Sequence, residues 1–300
     1  MAETFRLLCF GDNHGNAESL RRVVEDTAGE TFDHVVHTGD LTNLFFDGEQ
    51  AATAQIEEMT PHLEALAERG QFVYVLGNRD RRGRDRILPG DVPVGTRVPS
   101  DAVAKVGDLS FVRSMPSGPL ESPLVRVTHF WEAVPPRFDG LLSLSGHTHN
   151  GRTIGNIVDT GFLYRTDDHG GEGIYGGYYV IEVDTAGDVD VEFRPIGDVE
   201  ERECDQHAML GERFVTPTAW TNPCPFCYEE ADYYNELRRA VLSQHLSAGE
   251  FDGRTADDHP ITEGTLDAVE DAFPRPFLTK ERSMLVTESR STGQTTLDEF

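Results

Sequence analysis

Asp12 and His14 stand two residues apart, and His147 and His149 repeat that spacing. In an extended stretch, residues so spaced point to one side, where they can share an ion. Asp40, Asn78 and His129 add a carboxylate, an amide oxygen and an imidazole. Oxygen and imidazole donors without a thiolate suit divalent ions such as manganese, iron or zinc. Each of these residues follows an apolar run: RLLCF before Gly11-Asp12-Asn13-His14, DHVVHT before Gly39-Asp40, FVYVL before Gly77-Asn78, VRV before Thr128-His129, and LLSLS before Gly146-His147-Thr148-His149. The chemistry such a set points to is a polynuclear metal site.

The apolar runs are the elements that must position these ligands. Short runs rich in Val, Leu and Phe and bounded by turn-formers predict buried strands. In open α/β sheets the carboxyl ends of strands converge on one crevice, where ligands bind. Gly11, Gly39, Gly77 and Gly146 fall where each strand must turn sharply and the backbone must approach a ligand. Cys9 lies inside the first run and reads as core. Helical periodicity over 17–28 and 49–69 alternates with the strands, the second carrying Ile56, Met59, Leu63 and Leu66 on one face. AVAKVG and LSFVRSM predict a hairpin about Gly107-Asp108 that extends a second sheet.

The ordered series Asp12-x-His14, Gly39-Asp40, Gly77-Asn78, His129, Gly146-His147-x-His149 resembles the signature of the calcineurin-like metallophosphoesterases, over residues 5 to 149. The resemblance implies an α/β fold, a four-layer α/β/β/α sandwich, here with a C-terminal extension; GIYGGYYVIEVD and VDVEFRPI are similar to its closing strands. It also implies that Asp12, His14, Asp40 and His149 hold a first metal and Asp40, Asn78, His129 and His147 a second, with Asp40 bridging. Two divalent ions, manganese first and iron or zinc as alternatives, lie about 3.5–4 Å apart in such centres, share a hydroxide, and stabilise both oxygens of an in-line displacement at phosphorus. No Ser or Cys nucleophile is then required. The implied activity is hydrolysis of a phosphate ester, with phosphodiesterase or nuclease ahead of phosphomonoesterase, and with Asp40, Asn78, Arg79 and His129 as the catalytic group.

The chain departs from the family at two positions. Arg79 follows Asn78 where many members have His; its guanidinium can clamp a phosphate oxygen but cannot act as a general acid near neutral pH. Phe130-Trp131 follows His129 where Gly is common, giving either a stacking face for a base or packing beneath a loop.

Fifty-three acidic against 26 basic residues give a net charge of -27, and the only lysines are Lys105 and Lys280. Abundant Asp, Glu and Thr with Arg in place of Lys resembles the proteins of salt-accumulating halophilic archaea. On that reading the acidity is a solvation adaptation and argues weakly about substrate. The exception is residues 79–86, where Arg79, Arg81, Arg82, Arg84 and Arg86 form either a cationic rim for a phosphate-rich substrate or a self-paired loop. No apolar run reaches the roughly 18 residues of a membrane span. With no signal peptide expected and four cysteines that do not form a disulfide framework, the expected compartment is the cytoplasm.

Three parts are expected along the chain: the phosphoesterase domain over 1–198, a helical extension over 199–250, and an acidic, flexible tail over 251–300 that lacks a core. Within the extension, Cys204-x2-His207 and Cys224-Pro-Phe-Cys227 have zinc-knuckle spacing, for which tetrahedral zinc would supply folding stability. The alternatives are a thiol-disulfide site at a helix start and plain structural cysteines. Residues 229–247 predict an amphipathic helix. In the tail, Gln294, Leu297 and Phe300 fall at Q-x-x-L-x-x-F, similar to the sliding-clamp-binding peptide of archaeal repair proteins. That peptide would make a DNA end, flap or nucleotide the substrate, or would make the chain a non-catalytic clamp adaptor.

Overall fold

Alternation along the first strand decides which layers form. In Thr4–Phe10, Phe5, Leu7 and Cys9 join one buried cluster while Leu8 and Phe10 join another. A strand apolar on both faces must be covered on both. The computed structural model, which describes residues 2–82, 85–86, 92–114, 122–130, 138–166, 172–204, 206–211, 213–219, 224–227, 229–246 and 259–287, provides both covers.

One face meets a second sheet, the other meets helices. The first sheet runs in the order Val189–Pro195, Gly177–Asp184, Thr4–Phe10, His34–His37, Gln71–Tyr74 and Thr96–Arg97. The second runs Val199–Glu203, Arg213–Pro217, Arg152–Ile154, Ile157–Asp159, Leu142–Gly146, Leu124–Phe130, Leu109–Val112 and Ala104–Val106. Between them Leu7, Val36, Val73, Val127, Leu144, Tyr179 and Ile181 are buried together. On the far side of the first sheet lie the helices Ala17–Asp26 and Glu49–Ala67, which bury Leu20, Val23, Ile56, Met59, Leu63 and Leu66. Each such side chain taken out of water contributes roughly 1.5–3 kcal/mol. The first helix begins where Asn16 accepts the Ser19 N–H at 2.8 Å. The α/β sandwich is thus present, and the hairpin about Gly107 does extend the second sheet.

The C-terminal third departs from expectation in two ways. Val199–Glu203 and Arg213–Pro217 pair with each other and with Arg152–Ile154 as the edge of the second sheet, so a division after residue 198 falls inside that sheet. Their inward and outward residues separate, Val199 and Val215 facing the inter-sheet core and Phe214 a third cluster. That cluster is built by the helix Glu230–His245 together with Glu263–Val269 and Thr279–Leu285. Residues 259–287 therefore do have a core, where composition predicted a flexible tail. Ile261, Leu266, Val269, Phe273, Phe277 and Leu285 are too widely spaced to register as one apolar run, but they meet on the face of Leu237 and Val241. Arg152, 3% exposed, pairs with Glu236 at 2.9 Å and ties that helix to the sheet.

Candidate metal centre

The strands Thr4–Phe10, His34–His37 and Gln71–Tyr74 are parallel neighbours, as are Leu124–Phe130 and Leu142–Gly146, so their carboxyl ends lie on one rim. Beyond the strand ends the loops continue to bond: the Asp12 N–H donates to the Gly39 carbonyl at 2.9 Å and the His14 N–H to the Asp40 carbonyl at 3.1 Å. Asp12, His14, Asp40, His147 and His149 all have φ between 48° and 74°. Left-handed backbone at non-glycine residues is costly and collects where function demands it. These are the non-glycine left-handed residues among those described, and every one is a candidate ligand.

Two groups of side chains result. Asp12, His14 and His149 bring their ligand atoms within 4.8 Å of one another, and Asp40, His129 and His147 do the same. In the first group His149 Nε2 lies 3.1 Å from Asp12 Oδ1 and 3.1 Å from His14 Nε2. In the second, His129 Nε2 lies 2.8 Å from Asn78 Oδ1 and 3.3 Å from Asp40 Oδ2.

The tautomer of His129 tests whether this set fits a metal. Its Nδ1 is 3.1 Å from the Thr38 carbonyl oxygen, which can only accept, so Nδ1 carries the hydrogen. In the neutral ring Nε2 then offers a lone pair toward two further acceptors. Three acceptors facing one point repel unless a proton or a cation lies between them. Burial alone would lower the His129 pKa; the hydrogen bond to Asp40 and the charges of Asp12, Asp40 and Asp80 outweigh it and push it up to about 9. That proton stands in for the cation the donors suit. Asp12 responds in the same sense: burial raises its carboxyl, but the bond to His149 and the neighbouring imidazoles hold it well below the usual carboxylate range.

Further residues hold the ligands in place, and the sequence reading passed over them. Asp80 is wholly buried and accepts from the N–H groups of Gly77 at 2.9 Å, Leu41 at 3.2 Å and Thr42 at 2.8 Å, joining two ligand loops. Burial, and then repulsion from Asp40, push its pKa up to about 6. Its place within an Arg-rich octet concealed it. His37 accepts the Gly39 N–H on Nδ1, so its Nε2–H donates to Asn13 Oδ1 at 2.8 Å, and Asn13 in turn donates to the Leu41 carbonyl. A buried-strand run, HVVH, that carries a histidine at each end was the available signal. Thr148, between His147 and His149, donates to the buried Asp159 at 2.9 Å.

These groups open on a cleft of about 650 Å³ lined by Asp40, Asn78, Arg79, His147, His149 and Arg165, with Pro225 and Glu229 from the extension. Aromatic side chains pack beside the residues that line it. Arg79 lies over the Phe46 ring at 4.1 Å, Phe45 and Phe46 are about half exposed, and the exposed Phe130 packs its ring 4.7 Å from that of His147. A larger surface cavity of about 890 Å³, lined by Ser122, Phe138, Asp139 and Asp188 among others, contains no candidate ligand.

The family model described as calcineurin-like phosphoesterase matches residues 5–112. That stretch is a calcineurin-like phosphoesterase domain. The chain accordingly carries, over those residues, a domain of the metallophosphoesterase class of hydrolases. The matched part of the chain contains Asp12, His14, Asp40 and Asn78; His129, His147 and His149 lie beyond it and reach the same rim through the second sheet. No curated protein matches the chain. Among solved structures it is similar to a protein of Thermus thermophilus (14% identity, TM-score 0.39, covering 64% of this chain and 99% of that one). Others are a metallophosphoesterase from Sphaerobacter thermophilus (16%, 0.35, 65% and 88%) and a nuclease from Pseudomonas putida (17%, 0.32, 62% and 87%).

Of the remaining expected sites in the chain, Cys204, His207, Cys224 and Cys227 come together with their ligand atoms within 4.8 Å of one another. Trp131 and the peptide Gln294, Leu297 and Phe300 lie outside the described residues. No helix among those described is long and apolar enough to cross a membrane.

Proposed function

We propose that the chain hydrolyses phosphodiesters, with nucleic acid as the substrate class, at a centre of two divalent ions. The observation that carries this is the pair of acceptor groups, Asp12, His14 and His149 beside Asp40, His129 and His147, opening on one cleft with Arg79. Asp12, His14 and His149 would hold one ion; Asn78, His129 and His147 would hold the other, with Asp40 between the two. An all-oxygen-and-imidazole donor set favours manganese, with iron or zinc as substitutes. When bound, the ions supply Lewis acidity toward phosphoryl oxygen and acidify a water.

The chain's own residues do the rest. The Arg79 guanidinium donates to a non-bridging phosphate oxygen, and the carbonyl of Thr38 keeps His129 in the tautomer that presents Nε2. No imidazole occupies position 79, so the side chain there contributes hydrogen bonds to the phosphate and no proton to the leaving oxygen. Arg79 on Phe46, with Phe45 and Phe130 exposed nearby, supports a substrate that carries bases, because aromatic faces stack on bases while cations take the backbone. The Q-x-x-L-x-x-F series supports a sliding clamp as partner. Loss of clamp pull-down on deleting residues 294–300 is expected, and equal recovery refutes it.

Hydrolysis of bis(p-nitrophenyl) phosphate, p-nitrophenyl phosphate and single-stranded DNA, in high KCl with manganese, tests the activity. Turnover of the diester and of DNA, abolished by Asp40→Ala and by His129→Ala, is expected. No turnover, or turnover that survives both substitutions, would reject the enzymatic reading; faster monoester turnover would reject the diester assignment.

A further inference from the structure

The Cys204, His207, Cys224 and Cys227 cluster takes no part in the chemistry above, and its donors are of the opposite kind. Three sulfurs and one imidazole nitrogen converge: His207 Nδ1 lies 3.2 Å from Cys224 Sγ, 3.6 Å from Cys204 Sγ and 3.8 Å from Cys227 Sγ, and the Cys204 and Cys227 sulfurs are 3.8 Å apart. A tetrahedral zinc with Zn–S near 2.3 Å and Zn–N near 2.0–2.1 Å has S···S edges of about 3.8 Å and S···N edges of about 3.5 Å. The observed separations scatter about those edges.

The two halves are built alike. The His207 N–H donates to the Cys204 carbonyl at 3.2 Å and the Cys227 N–H to the Cys224 carbonyl at 3.1 Å, so each pair closes a tight turn that brings its two ligands to one side. Around them Phe214, Phe226 and Tyr233 form a dry shell, with the His207 and Tyr233 ring centroids 4.4 Å apart. Soft donors in a closed, apolar pocket select zinc and leave no open position for a substrate.

The location gives the cluster its consequence. Pro225, inside the second turn, and Glu229, just after it, line the catalytic cleft, and the helix Glu230–His245 starts at once. We propose that Cys204, His207, Cys224 and Cys227 bind one structural zinc ion that pins this turn and helix against the second sheet and so fixes one wall of the cleft. The ion acts as the hinge pin between the edge strand Val199–Glu203, which leads into Cys204, and the helical layer.

The test needs no enzymatic activity. The full-length protein is treated with EDTA to strip weakly held ions and analysed for metal; a second sample is stripped with a mercurial, freed of it with excess thiol, and reconstituted with cobalt(II). About one zinc per chain should resist EDTA, as tight structural sites do. The cobalt form should show thiolate charge-transfer absorption, and both signals should be absent from Cys224→Ser. A zinc-free preparation, or a cobalt spectrum without thiolate bands, overturns the site. Hydrogen exchange of zinc-loaded and mercurial-stripped wild type tests the pinning without relying on a variant that must fold. Residues 224–246 should exchange at least ~10-fold faster once stripped, while 4–10 and 34–37 stay unchanged. Equal protection of 224–246 in both forms overturns the pinning role.

Discussion

Gly77→Ala is the substitution that separates placement of the ligands from stability of the fold. A Cβ on Gly77 would lie 2.1 Å from Asp40 Oδ1, 2.8 Å from Asp40 Cγ and 2.5 Å from the Asp40 backbone nitrogen. Carbon in ordinary contact sits about 3.5 Å from its neighbours, so the Asp40 backbone must withdraw by roughly 1 Å. The main chain cannot yield as a side-chain tip would, because Asp80 bonds both Gly77 and Leu41 and holds the two loops together. Overpacking of this kind costs about 1–3 kcal/mol. In a chain of 300 residues each kcal/mol lowers Tm by roughly 1.5–2 °C. A misplacement of about 1 Å at a reacting group costs on the order of 100-fold in rate. Gly187→Ala is the control. At φ 96° with nothing within 4 Å of its Cβ, it strains an exposed turn and touches no ligand. Diester hydrolysis and thermal melts of both variants would be compared. Gly77→Ala should lose about 100-fold in kcat/KM and Gly187→Ala should keep it within about twofold, at similar losses of Tm. A Gly77→Ala enzyme as active as wild type would refute the argument that close packing against Asp40 sets the site.

Other outcomes follow from the same structure. Burial holds His37 neutral with its pKa near 4 against 6.5, so between those values the unfolded chain binds the extra proton; stability is full above about pH 6.5 and falls as the pH drops. Between pH 7.5 and 5 this amounts to about 2 kcal/mol, which urea midpoints should show as a smaller loss in His37→Asn than in wild type; equal losses would contradict it. Glu236→Ala removes a carboxylate partner from the buried Arg152 and should cost about 2–4 kcal/mol by denaturant unfolding; a cost near zero would mean the pair does not hold the helix. With a net charge of -27, raising KCl from 0.1 to 1 M shortens the screening length from about 10 Å to about 3 Å and should raise Tm, and a Tm that falls would count against the halophilic reading.

What the sequence disclosed depended on how local the determinant was. Strand ends followed by ligands were legible because an apolar run and a turn glycine are neighbours in the chain, and the candidate ligands do meet on one rim. Asp80 and His37 escaped because their roles lie in bonds to loops far along the chain, which the polar residue closing a strand or an aspartate among arginines does not specify. The folded segment 259–287 was misread for a related reason. Its apolar residues are diluted by Glu, Asp and Arg, and only packing against Leu237 and Val241 makes them a core. The Cys–His cluster lay between these cases: each half has a short recognisable spacing, but their meeting depends on the sheet edge and the helix that carry them.

Calorimetric titration of metal-free protein with manganese bears most directly on the central claim, that two acceptor groups on one rim form a pair of ion sites. Two binding events are expected in wild type, with one lost in His149→Ala and the other in His147→Ala. A single event in wild type, or two that survive both substitutions, would contradict it.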